Sequence, residues 1–131
     1  MKLVHIYWLS IALSATFFLM YWYAPWLYGY LDPVSQSILS NDNYGAMFNL
    51  PEWWFQVYLV LVLFGYAGLL KFRSFFRWWF VVVMVFSLIT SPIYGMNVIT
   101  GIEVFIIDTS TMLNGFIIAL AFFSPLKERF Y

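Results

Sequence analysis

Four long apolar stretches alternate along the chain with segments that hold most of its charged residues. The stretches cover residues 3–23, 53–70, 75–97 and 109–126 approximately. Each is close to the roughly 20 residues that an α-helix needs to cross a hydrocarbon layer about 30 Å thick. Backbone groups find no water in that layer, so a spanning segment must form either a helix or a strand of a closed barrel. The stretches lack the alternation of apolar and polar residues that is typical of barrel strands. We therefore predict four transmembrane helices.

The basic residues fall into three groups along the chain. They lie at its two ends or around the junction of the second and third stretches: Lys2, Lys71, Arg73, Arg77, Lys127 and Arg129. With four spans, all six are on one side of the membrane, and the positive-inside rule places that side in the cytoplasm. The sequence thus predicts an all-α integral membrane protein, a four-helix antiparallel bundle with both termini cytoplasmic. We expect a bacterial inner membrane.

Local signals mark the ends of the predicted spans. Pro51 and Glu52 favour a helix start before residue 53, because proline lacks only a donor that would be unpaired there and the carboxylate suits the positive helix end. Ser74 is suited to cap the third span. The connection at residues 71–75 is so short that the second and third spans must be antiparallel neighbours.

Two segments connect the spans on the predicted outer side. Residues 31–52 begin with a helix start at Asp32 and are too apolar for a free linker, so we expect them to rest on the bundle or the membrane surface. We interpret them as a connecting loop, with a partner-binding surface as the alternative. The residues that would form that surface are Asp32, Asp42, Tyr44 and Phe48. Residues 98–108 are expected to form an interfacial turn.

Composition narrows the possible functions. The chain is 64% hydrophobic and 9% charged, whereas soluble domains are about 25% charged, so residues 1–131 are expected to form one membrane domain. The formal net charge of zero gives no support for nucleic-acid binding. The chain has no cysteine and one histidine, His5, which cannot form a multi-histidine metal or haem site. We expect no catalytic site, metal or cofactor.

Four polar residues within or beside the last two spans are candidates for a functional site: Asn97, Glu103, Asp108 and Asn114. A carboxylate at the bilayer centre costs a few kcal/mol, so we expect Glu103 to face water in the 98–108 turn and Asp108 to stabilise the start of the fourth helix. Alternatively, the four residues line an outward polar vestibule for an ion, a proton or a small ligand. Hydrogen bonding between helices would also explain the two asparagines.

Small residues spaced three or four apart allow another helix to approach closely. The predicted packing positions are Ser10 and Ser14 in the first span, Gly65 and Gly68 in the second, and Gly115 with Ala119 in the fourth. Such pairs also arise by chance in apolar sequences, and incidental placement is the alternative.

Three functional hypotheses remain. The first is a non-catalytic protein that binds another membrane protein, as an accessory subunit or as a protective or regulatory partner. The second is a homo-oligomeric channel or carrier with an outward vestibule at Glu103 and Asp108. The third is a membrane-embedded enzyme or quinone binder, but interfacial aromatic belts explain the tryptophan and tyrosine clusters more simply. The expected partners are therefore the lipid bilayer and either another membrane protein or further copies of this chain.

Overall fold

The computed structural model describes residues 2–23, 29, 31–39, 51–94 and 99–131. All regular structure within these residues is helical, which confirms the predicted all-α class for this part of the chain. The α-helices are α1 (Leu3–Trp22), α2 (Pro33–Leu39), α3 (Glu52–Leu70), α4 (Ser74–Thr90) and α5 (Gly101–Phe123). Two 3-10 helices follow α4 and α5, at Ser91–Tyr94 and Pro125–Arg129 respectively.

Three of the described helices are long and apolar enough to cross a membrane: α1, α3 from Trp53 onward, and α5. The fourth, α4, is apolar but has only 17 residues. Ser91 keeps right-handed helical angles, with φ −50° and ψ −46°, so α4 runs directly into the 3-10 helix Ser91–Tyr94. Pro92 has no N–H to donate, which favours this change of hydrogen-bonding pattern. The last residues of the predicted third span, 95–97, lie outside the described residues.

The start of α5 corrects the expected boundaries. This helix begins at Gly101 and not near residue 109, so the part of the expected 98–108 turn from residue 101 onward is helical. A capping box causes the early start: Glu103 N donates to Thr100 Oγ1 at 3.2 Å, and Thr100 N donates to Glu103 Oε2 at 2.7 Å. With 23 residues, α5 is about 35 Å long and exceeds the hydrocarbon thickness.

Aromatic rings hold three chain segments together at one end of the helices. Tyr7, near the start of α1, stacks on Phe72 at 5.4 Å and meets the edge of Phe130 at 6.2 Å between ring centroids. Ser74 N donates to Tyr131 O at 2.9 Å and Tyr131 N donates to Phe72 O at 3.1 Å. These contacts hold Phe72 in the left-handed region, at φ 52°, which non-glycine residues rarely adopt. The six basic residues belong to these three segments or adjoin them, and we call this the basic end.

The long helices pack in pairs around a common core. Helix α1 lies along α5 and α3 lies against α4, with smaller contacts between α1 and α3 and between α4 and α5. The core is formed by fully buried apolar side chains, including Ile11, Val62, Leu69, Phe80 and Ile117. Glycines allow the approach of α4 to α3: a Cβ on Gly65 would lie 3.2 Å from Phe80 Cδ2, and a Cβ on Gly68 would overlap the Phe76 ring.

Two glycine-to-alanine substitutions should therefore have opposite effects on stability. Gly68→Ala forces the Phe76 ring or the backbone to move, and we expect a loss of about 1–3 kcal/mol in the free energy of unfolding. Gly115→Ala meets no atom within 4 Å and should stabilise the isolated chain by up to about 1 kcal/mol through helix propensity. Unfolding of the detergent-solubilised protein by SDS, followed by circular dichroism, measures both. Equal effects of the two substitutions would contradict the predicted contact of Gly68.

Candidate functional site

A buried cluster of polar side chains links α1, α3 and α5. Ser14 is 0% exposed and Tyr66 is 2% exposed. The Ser14 hydroxyl donates to Asn114 Oδ1 at 2.6 Å, and the Tyr66 hydroxyl donates to the same oxygen at 2.8 Å. The two hydroxyl oxygens lie 2.9 Å apart. Asn114 therefore connects three helices through a single amide oxygen.

The hydrogen-bonding capacity of these groups explains the arrangement. Each hydroxyl carries one proton and can accept further bonds, and an amide oxygen accepts two, so Asn114 satisfies both hydroxyls at once. Its amide nitrogen lies 3.6 Å from Met84 Sδ on α4, a weak acceptor. All of these groups are neutral and they satisfy one another. The cluster is therefore suited to fixing helix packing and not to acid–base chemistry.

Glu103 and Asp108 lie on different faces of α5. Glu103 is buried, at 3% exposure, and its carboxylate accepts a hydrogen bond from the backbone N–H of Thr100, the N-cap residue of α5. Asp108 is exposed. An α-helix turns by about 100° per residue, so Asp108 lies about 140° around the axis from Glu103. Asn114 lies within about 20° of Glu103. The structure thus places Glu103 and Asn114 on the inner face and Asp108 on the outer face of α5, and Asn97 lies outside the described residues.

The outer face of α5 carries a continuous row of exposed residues: Asp108, Met112, Gly115 and Ala119. We call this row the α5 outward stripe. Its spacing of four, three and four residues keeps it on one side of the helix. Met112 is 76% exposed, and a Cβ on Gly115 would have no neighbour within 4 Å. The stripe is therefore accessible to another molecule over its whole length.

The small residues named from the sequence divide between inner and outer faces. Ser10 and Ser14 are buried on α1, and the Ser10 hydroxyl donates to Ile6 O at 2.8 Å. Gly65 and Gly68 face α4. Gly115 and Ala119 are exposed and contribute only to the α5 outward stripe. Two of the three pairs thus lie inside the chain's own helix contacts, and the third is available to a partner.

Of the residues suggested for a partner-binding loop, the structure describes only Asp32. This exposed residue precedes α2, and its carboxylate accepts from Ser35 Oγ at 2.6 Å and from Ser35 N at 3.1 Å. These hydrogen bonds lower the pKa of the Asp32 carboxyl, the hydroxyl bond contributing most. Asp42, Tyr44 and Phe48 lie outside the described residues. Asp32 therefore has a clear local role as a helix cap.

Sequence reasoning missed two side chains that the structure makes prominent. Tyr66 completes the Asn114 cluster, and a phenol within an apolar span is itself a sign that a partner is near. The sequence identifies Arg77 only as a basic residue near the start of the third span, whereas the structure places its guanidinium 4.7 Å from the Phe122 ring centroid and 5.3 Å from that of Phe130. It also donates to Ala121 O at 3.3 Å. Arg77 thus joins α4 to α5 at the basic end.

Taken together, the described residues form an all-helical protein whose long helices have the length and composition of membrane spans. Comparisons with models of protein families, with curated proteins and with solved structures find no match to this chain. Function is therefore inferred from the chemistry of the chain itself.

The shared acceptor in the polar cluster predicts non-additive effects on stability. Asn114→Leu leaves Ser14 and Tyr66 to bond each other and should cost about 1 kcal/mol of unfolding free energy, within the range for hydrogen bonds between membrane helices. Tyr66→Phe should cost about 0.5 kcal/mol. The double variant should lose less unfolding free energy than the two single variants lose together, because both substitutions remove the same Tyr66–Asn114 hydrogen bond. SDS unfolding measures all three, with Met112→Leu as an exposed control on α5. Strict additivity would contradict the shared bond.

Proposed function

We propose that this chain is a four-span protein of a bacterial inner membrane, with both termini in the cytoplasm, that acts by binding another membrane protein. The span lengths support the four crossings. Helix α4 gives about 25 Å, and the four residues of Ser91–Tyr94 add about 8 Å as a 3-10 helix, which together match a hydrocarbon core of about 30 Å. The grouping of the basic segments at one end supports the cytoplasmic placement of both termini.

One observation carries the proposal of a partner: the α5 outward stripe has a carboxylate where lipid would otherwise be the only neighbour. Asp108 lies seven residues after the start of α5, about 10 Å along the helix. Lipid tails explain an exposed Met112, but they offer nothing to an ionised carboxylate, whose burial in hydrocarbon costs up to a few kcal/mol. A partner that donates hydrogen bonds or a positive charge to Asp108 removes that cost.

The rest of the stripe fits a helix as the bound element. Gly115 and Ala119 are four residues apart, the spacing at which small side chains let two membrane helices approach backbone to backbone. The partner we propose therefore presents a transmembrane helix with small residues opposite Gly115 and a donor or cation opposite Asp108.

The inner polar groups already form hydrogen bonds within the chain, and this supports a binding role for the outer surface. Glu103 belongs to the cap of α5, while Ser14, Tyr66 and Asn114 bond one another. These groups stabilise the helix packing, which leaves the outward surface as the place where specific recognition can occur. This favours an accessory, protective or regulatory partner of a membrane complex.

Single cysteines test the partner directly, because the chain has none of its own. Met112→Cys and Ala119→Cys, each labelled with benzophenone maleimide and irradiated in native membranes, should form adducts with another protein. Val82→Cys on α4 is the matched control, since Val82 is 62% exposed but lies outside the stripe. Equal protein adducts from all three positions, or none from positions 112 and 119, would contradict the proposal.

Substitutions within the stripe then test its chemistry in the labelled Met112→Cys background. Gly115→Leu blocks close helix approach, and Asp108→Asn removes the charge. Each should lower the adduct yield about fivefold or more, which corresponds to about 1 kcal/mol of binding free energy. Val82→Leu should leave the yield unchanged. Circular dichroism of the purified variants checks that the helices remain folded.

A second candidate is an oligomer of this chain in which Asp108 lines a path between subunits. The exposure of Asp108 favours this arrangement over a vestibule within one chain, because Glu103 and Asn114 face inward. The mass of the photoadduct separates the two candidates, since a homodimer has twice the 15.5 kDa of one chain. If the path conducts cations, Asp108→Asn should lower cation flux into proteoliposomes, and Glu103→Gln should not. Cation flux that is unchanged by both substitutions would exclude a conducting path lined by Asp108.

A further inference from the structure

We propose that a cavity at the basic end binds an anionic phospholipid. The cavity opens between the end of α3 and the start of α4 and has a volume of about 460 Å³. This lies within the range of about 300–1,000 Å³ that is usual for small-molecule sites. It is distinct from the α5 outward stripe, since all its lining residues come from α3, α4, their connection and Tyr131.

The lining has two chemically different parts. Toward the helices it is aromatic, with Phe64, Phe75 and Phe76 as walls. Toward the connection it carries two cations, Lys71 and Arg73. An anionic phospholipid has the same division, with acyl chains that favour the aromatic walls and a phosphate that favours the cations.

Neither cation is neutralised within the described part of the chain. Lys71 and Arg73 are exposed and make no salt bridge with a carboxylate there. The Arg73 guanidinium lies 5.1 Å from the centroid of the Tyr131 ring, a contact that fixes its position without cancelling its charge. Arg73 is also the N-cap residue of α4, whose positive dipole end adds to the potential at this point. The cavity mouth is therefore electrostatically complementary to a phosphate.

The position of the cavity decides between a lipid and a soluble anion. Lys71 and Arg73 follow directly on the membrane-length helix α3, and Phe64 lies seven residues before Lys71 in that helix. The proposed membrane arrangement therefore puts the cations at headgroup depth and Phe64 about 10 Å deeper, in the hydrocarbon. Basic pockets between transmembrane helices on the cytoplasmic side are known sites for acidic headgroups. A free phosphate could use the cations but would gain nothing from Phe64 or Phe75. The inference rests on the proposed membrane orientation and not on the protein partner.

Native mass spectrometry of the intact chain, released from mild detergent, tests the site. The probe is dioleoylphosphatidylglycerol, with dioleoylphosphatidylcholine as the uncharged reference. The wild-type chain should retain one phosphatidylglycerol in preference to phosphatidylcholine. Lys71→Gln and Arg73→Gln should each lower that retention about fivefold, and the double variant about 25-fold. Phe75→Ser should lower the retention of both lipids, because it removes an acyl-chain contact.

The matched control is the double variant Lys127→Gln/Arg129→Gln, which removes the same charge from the same end but outside the cavity lining. It should change retention less than twofold. An equal loss in this control would overturn the proposal in favour of a diffuse surface effect. Competition by inorganic phosphate at the lipid concentration would overturn it in favour of a free-anion site.

Further measurements distinguish loss of the lipid site from loss of folding and from loss of partner binding. Circular dichroism and SDS unfolding without added lipid should show that the Lys71→Gln and Arg73→Gln variants are folded like the wild type. Lys71→Arg, which keeps the positive charge, should retain phosphatidylglycerol like the wild type. Photocrosslinking from Met112→Cys in the Lys71→Gln/Arg73→Gln background should remain unchanged. If lipid retention is unaffected by the cavity variants while crosslinking persists, the lipid site is wrong and the partner proposal stands.

Discussion

Hydrocarbon offers polar groups no water, and this constraint underlies each surface for which a function is proposed. In the polar cluster and at the start of α5 the constraint is met by internal pairing. Asn114 accepts hydrogen bonds from Ser14 and Tyr66, and Glu103 accepts one from Thr100 at the start of α5. Each such bond contributes little net free energy in a membrane, but an unpaired group would cost more than the bond gives. The polar cluster therefore fixes which faces of α1, α3 and α5 meet.

The same constraint applies to charged groups that have no partner within the described part of the chain. Asp108 is exposed on the outer face of α5, and Lys71 and Arg73 border an aromatic cavity without a carboxylate partner among the described residues. A partner helix at the α5 outward stripe and a phospholipid at the cavity would each supply the missing complement. The two surfaces lie on different helices, so binding at one leaves the other accessible. The chain would then be anchored by a lipid at its basic end while α5 recognises a protein.

Much of this arrangement could be predicted from the sequence, and the exceptions have physical causes. The apolar stretches anticipated the helices within a few residues at most ends, because the hydropathy of about 20 consecutive residues is a local property. The start of α5 was placed too late. Glu103 and Asp108 suggested an aqueous turn, whereas Thr100 and Glu103 form a capping box whose T-x-x-E pattern is itself local and readable.

The sequence by itself determined the all-helical, membrane-type class of the protein and the three segments that hold its basic residues, since both follow from composition and order along the chain. Only the tertiary structure decided which polar residues meet. Glu103 and Asp108 are five positions apart and both carry a carboxyl group, yet the packing of α5 against α1 buries one and exposes the other. Ser14 and Asn114 are 100 residues apart and share a hydrogen bond. Such pairings depend on the rotation of each helix about its axis, which the contacts among all the helices set together and no single segment encodes.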